Sequence, residues 1–222
     1  MAHHARQQAA PKQGAQPCGT TTLTALDNPS GPRIGPNAIL QVFAALDASG
    51  GQACVARVAR AAGAESHLSH PPVAMVSVAE VLALHRAVRA CLGAGPGRAV
   101  LRAAGEATGR YLLAHRIPRP VRLALRAAPA PLAARLLVAA IRRHAWTFGM
   151  PDGLDAAWRG GLRLFLAANP IAVPGAAGPG CDFHAGTFEV LFQALVDRHL
   201  VVRETACRAA GHPACVFAIR RG

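Results

Sequence analysis

Apolar residues recur at helical spacing along most of the chain between residues 33 and 148. Leu137 and Ile141 belong to the longest apolar stripe, and a stripe of this period places one side of a helix in a core. The pair Gly50-Gly51 interrupts the first stripe, which indicates a break between two helices. The predicted helices span residues 35–46, 53–62, 76–92, 98–117 and 132–148.

The hydrophobic period changes in the last third of the chain. Leu162, Leu164 and Leu166 alternate with Arg163 and Phe165, which predicts a strand. The stretch HAGTFEVLFQALVDRH then returns to a helical stripe, and LVVRETAC and CVFAIRR predict a closing hairpin. Together these elements predict an α+β fold in which an N-terminal helical layer packs on a small C-terminal antiparallel sheet.

Length and composition are consistent with one folded domain after a short tail. Residues 1–32 are rich in Gln, Pro, Gly and Thr without an apolar period, which predicts a flexible tail. Residues 33–222 are then expected to form a single domain. The chain of 222 residues is 52% hydrophobic and 16% charged, so it is long enough to bury a core and too apolar for wholesale disorder.

The charge balance points to an anionic partner. The formal net charge is +13, and Lys12 is the only lysine among the basic residues. Such a surface suits an acidic ligand or peripheral association with an anionic membrane. No basic run is interleaved with aromatic residues, so nucleic acid is not a predicted partner. The N-terminus lacks an apolar signal region and Arg or Pro interrupts each long apolar stretch, so we expect a cytoplasmic protein without a transmembrane segment.

The closing hairpin carries a carboxylate and two thiols around its bend: Glu204, Cys207 and Cys215. With Cys181, which precedes the last helix, they are suited to a tetrahedral zinc ion. Glu204 and Cys207 are three residues apart, so they converge only if Cys207 has already left the strand. A Cys207–Cys215 disulfide and simple burial of small apolar cysteines are the alternatives. His184 and His212 are competing metal ligands, whereas Cys18, Cys54 and Cys91 suggest no function.

The spacing Cys181-x22-Glu204-x2-Cys207-x7-Cys215 closely resembles the zinc motif of the vinyl-reductase-type domain family. This resemblance implies a structural zinc ion on those four residues, which would staple the C-terminal hairpin. It also implies a fold related to the transport-particle subunits of Golgi tethering complexes. Members of the family hold small molecules between helices and sheet, and relatives of this fold often form homodimers.

Two further stretches, RIGPNAILQ and YLLAHRIPRP, resemble the branch of that family called bacteriochlorophyll 4-vinyl (or 8-vinyl) reductase. The resemblance covers about Arg33 to Ile219. It implies a role in bacteriochlorophyll biosynthesis, with divinyl protochlorophyllide or a related magnesium tetrapyrrole as the ligand and other biosynthetic enzymes as partners.

Reduction of a vinyl group needs a hydride source, and a cofactor supplies hydride. The Gly-rich stretch GAGPG, Gly93 to Gly97, lies between predicted helices rather than after a strand, so it is a weak nucleotide motif. We therefore favour a protein that binds the tetrapyrrole and carries or presents it to enzymes. The alternatives are a reductase that converts the 8-vinyl group to ethyl, and a small-molecule sensor or interaction scaffold.

A tetrapyrrole pocket needs apolar walls and a few polar anchors. Gly105 and Gly109, four residues apart on one helix, allow a neighbouring helix or a flat ligand to approach closely. An imidazole can ligate the central magnesium, an aromatic ring can stack on the pigment, and an arginine can pair with its carboxylate. The candidates for these three roles are, in order, His144 and His115, Trp158 and Phe188, and Arg116 and Arg119.

Overall fold

The computed structural model describes residues 31–150, 153–172 and 180–222. The predicted tail lies outside the described residues except for Gly31 and Pro32. The helices and strands are β1 (Arg33–Ile34), α1 (Asn37–Ala62), α2 (Ser66–Ser69), β2 (Val76–Ser77), α3 (Val78–Leu92), α4 (Ala94–His115), α5 (Arg119–Ala127), α6 (Ala130–Arg143), β3 (Asp155–Ala157), β4 (Leu162–Leu166), α7 (Asp182–Leu195), β5 (Leu200–Ala206) and β6 (Cys215–Arg221).

Helices α1, α3 and α4 pack on one another and form the helical layer. Their shared core contains Val42, Leu46 and Leu84, each fully buried. The Ser77 hydroxyl caps α3 by accepting a hydrogen bond from the second residue of that helix, which satisfies one of its free N–H groups. The break predicted in the first stripe is a kink inside α1, because Gly51 has φ of 68°, a left-handed value that glycine tolerates.

Helix α1 is the one helix in the described part of the chain that could cross a membrane by length and composition. Its relevant window is 33% buried. Ile39, Val42 and Leu46 are fully enclosed and share a core with the side chains of α3 and α4. In this fold α1 therefore contributes to the core of the helical layer.

Helices α4 and α7 cross at very short distance, and this crossing joins the helical layer to the C-terminal half. A Cβ atom on Gly105 would lie 2.0 Å from the Phe183 carbonyl oxygen, and one on Gly186 would lie 2.4 Å from the Arg102 carbonyl oxygen. No side chain fits at such distances. The Thr187 hydroxyl donates to the Gly105 carbonyl oxygen across the crossing at 3.0 Å. The close approach expected at Gly105 is therefore made by a helix.

The C-terminal sheet has four antiparallel strands in the order β3-β4-β6-β5. Leu164 of β4 lies opposite Phe217 of β6. Helix α7 packs over these strands, and its Phe188 and Phe192 are fully buried in the same core. The predicted α+β class, with a helical layer on a small antiparallel sheet, is confirmed.

Three local predictions differ from the structure. Helix α5 lies in a stretch that was expected only to connect two helices, because Leu125 is its one buried side chain and nine residues show no stripe. Strand β3 has three residues and no alternation. Helix α6 ends at Arg143, five residues before the predicted end, since His144 has non-helical φ and ψ of −108° and 11° and a 3-10 turn, Ala145–Thr147, follows.

Candidate metal centre

Four side chains from three elements meet at the end of the hairpin. Cys181 precedes α7, Glu204 lies in β5, Cys207 follows β5, and Cys215 begins β6. The sulfur of Cys181 lies 3.7 Å from that of Cys207 and 3.6 Å from that of Cys215. The sulfurs of Cys215 and Cys207 are 3.8 Å apart. One ligand atom of each of the four residues lies within 4.8 Å of all the others, so the group can hold a metal ion.

The local backbone explains how Glu204 and Cys207 reach the same point. The pairing of β5 with β6 shifts register between Glu204 and Ala206, and the strand ends at Ala206. A 3-10 turn then follows at Arg208–Ala210, and Gly211 closes it with φ of 90°. Cys207 therefore lies outside the strand, which is the condition that the three-residue spacing imposes.

The donor atoms fit a tetrahedral zinc ion. A regular tetrahedron with zinc–sulfur distances near 2.3 Å has sulfur–sulfur edges of about 3.8 Å, close to the three observed separations. Glu204 Oε2 accepts a hydrogen bond from the Cys181 backbone N–H at 2.7 Å. The other oxygen, Glu204 Oε1, is buried without a hydrogen-bond partner, as expected of an atom that binds a metal. The three thiols are free, so the predicted alternative of a Cys207–Cys215 disulfide is wrong.

The acidic groups of this centre cannot all ionise without a cation. Burial raises the pKa of Glu204 to about 7. The hydrogen bond from the Cys181 thiol lowers the pKa of Cys207 to about 4, while hydrogen bonds with Cys207 and then Cys215 raise the pKa of Cys181. In the metal-free protein, negative charge therefore collects on one sulfur. A bound dication would stabilise all the ligands in their ionised form.

Two N–H groups outside the ligand set support the sulfurs. Asn169 is buried, and its Nδ2 donates to the Cys181 sulfur at 3.0 Å. The backbone N–H of Arg208 donates to the Cys215 sulfur at 3.4 Å. Such bonds hold metal-binding thiolates in position. Sequence reasoning missed Asn169, which lies in a loop and precedes the ligand Cys181 by twelve residues; no motif marks it.

The two competing histidines are not part of the centre. His212 is exposed in the hairpin turn. His184 is fully buried and its ring stacks near Phe188, with the centroids 6.0 Å apart. Neither ring nitrogen of His184 has a hydrogen-bond partner, and the same holds for Nε2 of the buried His85 on α3. Burial lowers the pKa of His184 to about 4 and that of His85 to about 3, so both are neutral at pH 7.

A cleft with a volume of about 450 Å³ opens beside the metal centre, between α4, the start of α7 and β5. Arg98 and Asp182 form an ion pair across it at 3.2 Å, and Arg102 pairs with Glu189 at 2.7 Å. The residues that line the cleft are Arg98, Arg102, Asp182, Ala185, Val201, Val202, Arg203 and Glu204. Its wall therefore includes three arginines and one ligand of the metal centre.

The residues predicted to hold a tetrapyrrole lie elsewhere, and none of them lines this cleft. Arg116 and Arg119 are exposed, as are the two histidines. Nδ1 of His144 lies 2.8 Å from the Ala140 carbonyl oxygen, and the ring of His115 lies 4.7 Å from that of Tyr111.

The two aromatic candidates have different environments. Trp158 is 41% exposed beneath the guanidinium group of Arg135, whereas Phe188 is fully buried in the core between α7 and the sheet. The structure thus places His144, His115, Trp158, Arg116 and Arg119 on the surface and only Phe188 inside.

Comparison with known proteins agrees with the motif. Residues 167–221 match the vinyl-4-reductase domain family. The chain is 42% identical over 186 residues to the "Bacteriochlorophyll synthase 23 kDa chain" of Cereibacter sphaeroides, an alignment that covers 83% of this chain and 89% of the relative. It is 38% identical over 188 residues to the protein of the same name from Rhodobacter capsulatus, covering 85% of this chain and 87% of the relative. The family predicted from the cysteine and glutamate spacing is confirmed.

Proposed function

Because the chain belongs to the family of the bacteriochlorophyll synthase 23 kDa chains, we propose that it acts in bacteriochlorophyll biosynthesis by binding a divinyl tetrapyrrole and presenting it to biosynthetic enzymes. The observation that carries this proposal is similarity over nearly the whole length of both relatives. The ligand class is divinyl protochlorophyllide or a related magnesium tetrapyrrole. The proposal includes a cytoplasmic homodimer as the working form.

We assign zinc to the metal centre, on Cys181, Glu204, Cys207 and Cys215. Three thiolates and one carboxylate form a ligand set that zinc prefers over harder cations. The protein supplies all four ligands, so the ion has no open position for water or substrate. Its role is to fix the end of the β5–β6 hairpin to the start of α7, and thereby to hold one wall of the cleft.

The cleft supports the binding of an acidic ligand. Arg98 and Arg102 are already paired with carboxylates, whereas Arg203 lines the cleft from the exposed side of β5 without an ion pair among the described residues. Its guanidinium group is therefore suited to the free carboxylate of the pigment. A volume of about 450 Å³ lies in the usual range for small-molecule sites.

The central magnesium requires an axial ligand, for which His144 and His115 stay the predicted candidates. Both are exposed, so a pigment could reach either imidazole. The predicted stacking partner Trp158 is also accessible, and Arg116 and Arg119 are alternative partners for the carboxylate. His144→Ala is expected to abolish the shift in the pigment absorption band if His144 is that ligand; an unchanged spectrum and affinity would reject this assignment.

The experiment that tests the function mixes the metal-replete full chain with divinyl protochlorophyllide and reduced nicotinamide cofactor. The absorption spectrum is followed, and the pigment is then extracted and analysed. A carrier is expected to shift the band and return the divinyl pigment unchanged. Accumulation of a monovinyl product with turnover would identify a reductase, and the absence of pigment binding would leave the sensor or scaffold alternative.

A matched pair of variants tests the cleft. Arg203→Gln is expected to weaken pigment binding about tenfold, because it removes one charged hydrogen bond to the carboxylate. Arg220→Gln removes an equivalent charge from an exposed position of β6 outside the cleft and is expected to bind normally. Equal affinities of the two variants would show that the carboxylate binds elsewhere.

A further inference from the structure

A second surface of the molecule is strongly basic without any counter-charge in its own sequence. Residues 107–150 contain neither Asp nor Glu. Their arginines are Arg110, Arg116, Arg119, Arg122, Arg126, Arg135, Arg142 and Arg143. This segment ends α4 and forms α5, α6 and the following 3-10 turn, so its charges lie in one continuous part of the fold.

The same region holds most of the exposed large apolar side chains of the described residues. Two others, Leu68 and Val73, lie in or beside α2. The remaining six have exposed fractions between 41% and 65%: Val121, Leu123, Leu132, Leu136, Trp146 and Trp158. Exposed leucine and tryptophan side chains concentrated in one region mark an interaction surface.

The packing of α5 and α6 explains the exposure of these side chains. The two helices contact each other, and both contact α7. Leu125 of α5 and Leu137 and Ile141 of α6 provide the buried contacts. Leu132 and Leu136 lie on the other side of α6, one turn apart, with Arg135 beside them. No described element covers this outer side.

We define the basic apolar face as the six exposed apolar side chains together with Arg116, Arg119, Arg135, Arg142 and Arg143, all exposed. Arg135 lies over the ring of Trp158, with its guanidinium carbon 5.8 Å from the ring centroid. Arg142 lies 3.6 Å from Asp155, an exposed pair of little energetic weight. The other three arginines have no ion pair among the described residues.

We propose that the basic apolar face binds the surface of an anionic lipid bilayer. Tryptophan and leucine enter the boundary between head groups and acyl chains, and arginine stems lie along apolar surface while their guanidinium groups pair with lipid phosphates. A face with basic residues and no acidic residue from 107 to 150 complements a negative membrane and repels no part of it. The protein thus docks peripherally through α5 and α6, with the cleft and metal centre outside the contact.

The test is flotation of the full chain with vesicles of phosphatidylcholine, either alone or mixed with phosphatidylglycerol. Binding is expected only to the anionic vesicles and should weaken as salt is added. The double variant Arg119→Gln/Leu123→Gln is expected to lose about tenfold in vesicle affinity, of which about fivefold comes from the charge. The control Arg220→Gln/Leu68→Gln removes the same groups from outside the face, and should bind as the parent does.

Circular dichroism and thermal melting check that both double variants are folded. Absence of binding to anionic vesicles would overturn the proposal, and so would equal binding by the two double variants. Sedimentation without vesicles distinguishes a further case. A dimer that Arg119→Gln/Leu123→Gln dissociates and Arg220→Gln/Leu68→Gln does not would make the face a subunit contact and overturn membrane binding. This inference does not rest on the pigment, so it stands or fails separately.

Discussion

The metal centre and the basic apolar face lie in the same domain and use polar groups in opposite ways. At the metal centre, Cys181, Cys207 and Cys215 are buried, and N–H groups of Asn169 and Arg208 donate to two of the sulfurs. On the basic apolar face, arginines and large apolar side chains are both exposed. The first region is built to hold its own parts together, and the second leaves its binding groups for something outside the chain.

This difference has an energetic consequence. Buried polar groups that lose a partner are costly, whereas exposed groups change stability little. Substitutions in the two regions should therefore separate stability from binding. The largest effect on stability is expected at the metal centre, followed by the helix crossing and then the buried imidazole groups.

The variant Cys207→Ser is expected to lose the metal and to destabilise the protein by on the order of 5 kcal/mol, because metal binding and folding are coupled. Elemental analysis gives the metal content, and urea denaturation gives the free energy of unfolding. A chelator should have a similar effect on the parent protein. The control Cys54→Ser changes a buried thiol outside the centre and should retain the metal. A metal-free parent, together with intact stability of Cys207→Ser, would contradict the zinc assignment.

The variant Gly105→Ala tests the crossing that connects the helical layer to the metal-bearing half. Its Cβ would lie 2.0 Å from the Phe183 carbonyl oxygen, so the helices must separate, and we expect a loss of about 3 kcal/mol. Gly95 lies on the same helix, and nothing lies within 4 Å of the position that its Cβ would take. Gly95→Ala should therefore be neutral or stabilising by about 0.5 kcal/mol. Equal melting temperatures for the two variants would show that α4 and α7 do not approach so closely.

Acidification should weaken the protein through its buried imidazole groups. The pKa of His184 is lowered by burial from 6.5 to about 4 in the folded protein, so the unfolded state binds more protons between these values. Stability from this residue is complete above pH 6.5 and falls as the pH drops toward 4, by on the order of 2 to 3 kcal/mol. Denaturation of parent and His184→Phe at pH 7 and pH 4.5 measures the difference.

His184→Phe should show a smaller loss of stability on acidification than the parent, because phenylalanine binds no proton. The control His144→Phe removes an exposed imidazole and should keep the parental pH dependence. Metal release at low pH affects all three proteins alike. An identical acid response in parent and His184→Phe would therefore show that His184 is not buried in the neutral form.

Sequence reasoning succeeded where a pattern reports directly on burial or on ligand chemistry. The alternation of Leu162, Leu164 and Leu166 identified β4, and the spacing of Cys181, Glu204, Cys207 and Cys215 identified the metal ligands that the fold brings together. It failed for α5, which buries one side chain in nine residues and so has no stripe to detect. It also missed Asn169, whose hydrogen bond to Cys181 depends on a loop conformation that leaves no trace in spacing.

By itself, the amino-acid sequence determined the fold class, the family and the four residues of the metal centre, because each depends on residue type and spacing along the chain. The tertiary structure decided which groups are near one another in space. It excluded His184 and His212 from the centre, placed Arg203 in the cleft, and left α5 and α6 uncovered on their outer side. These facts depend on contacts between residues far apart in the chain, and such contacts follow from packing rather than from local pattern.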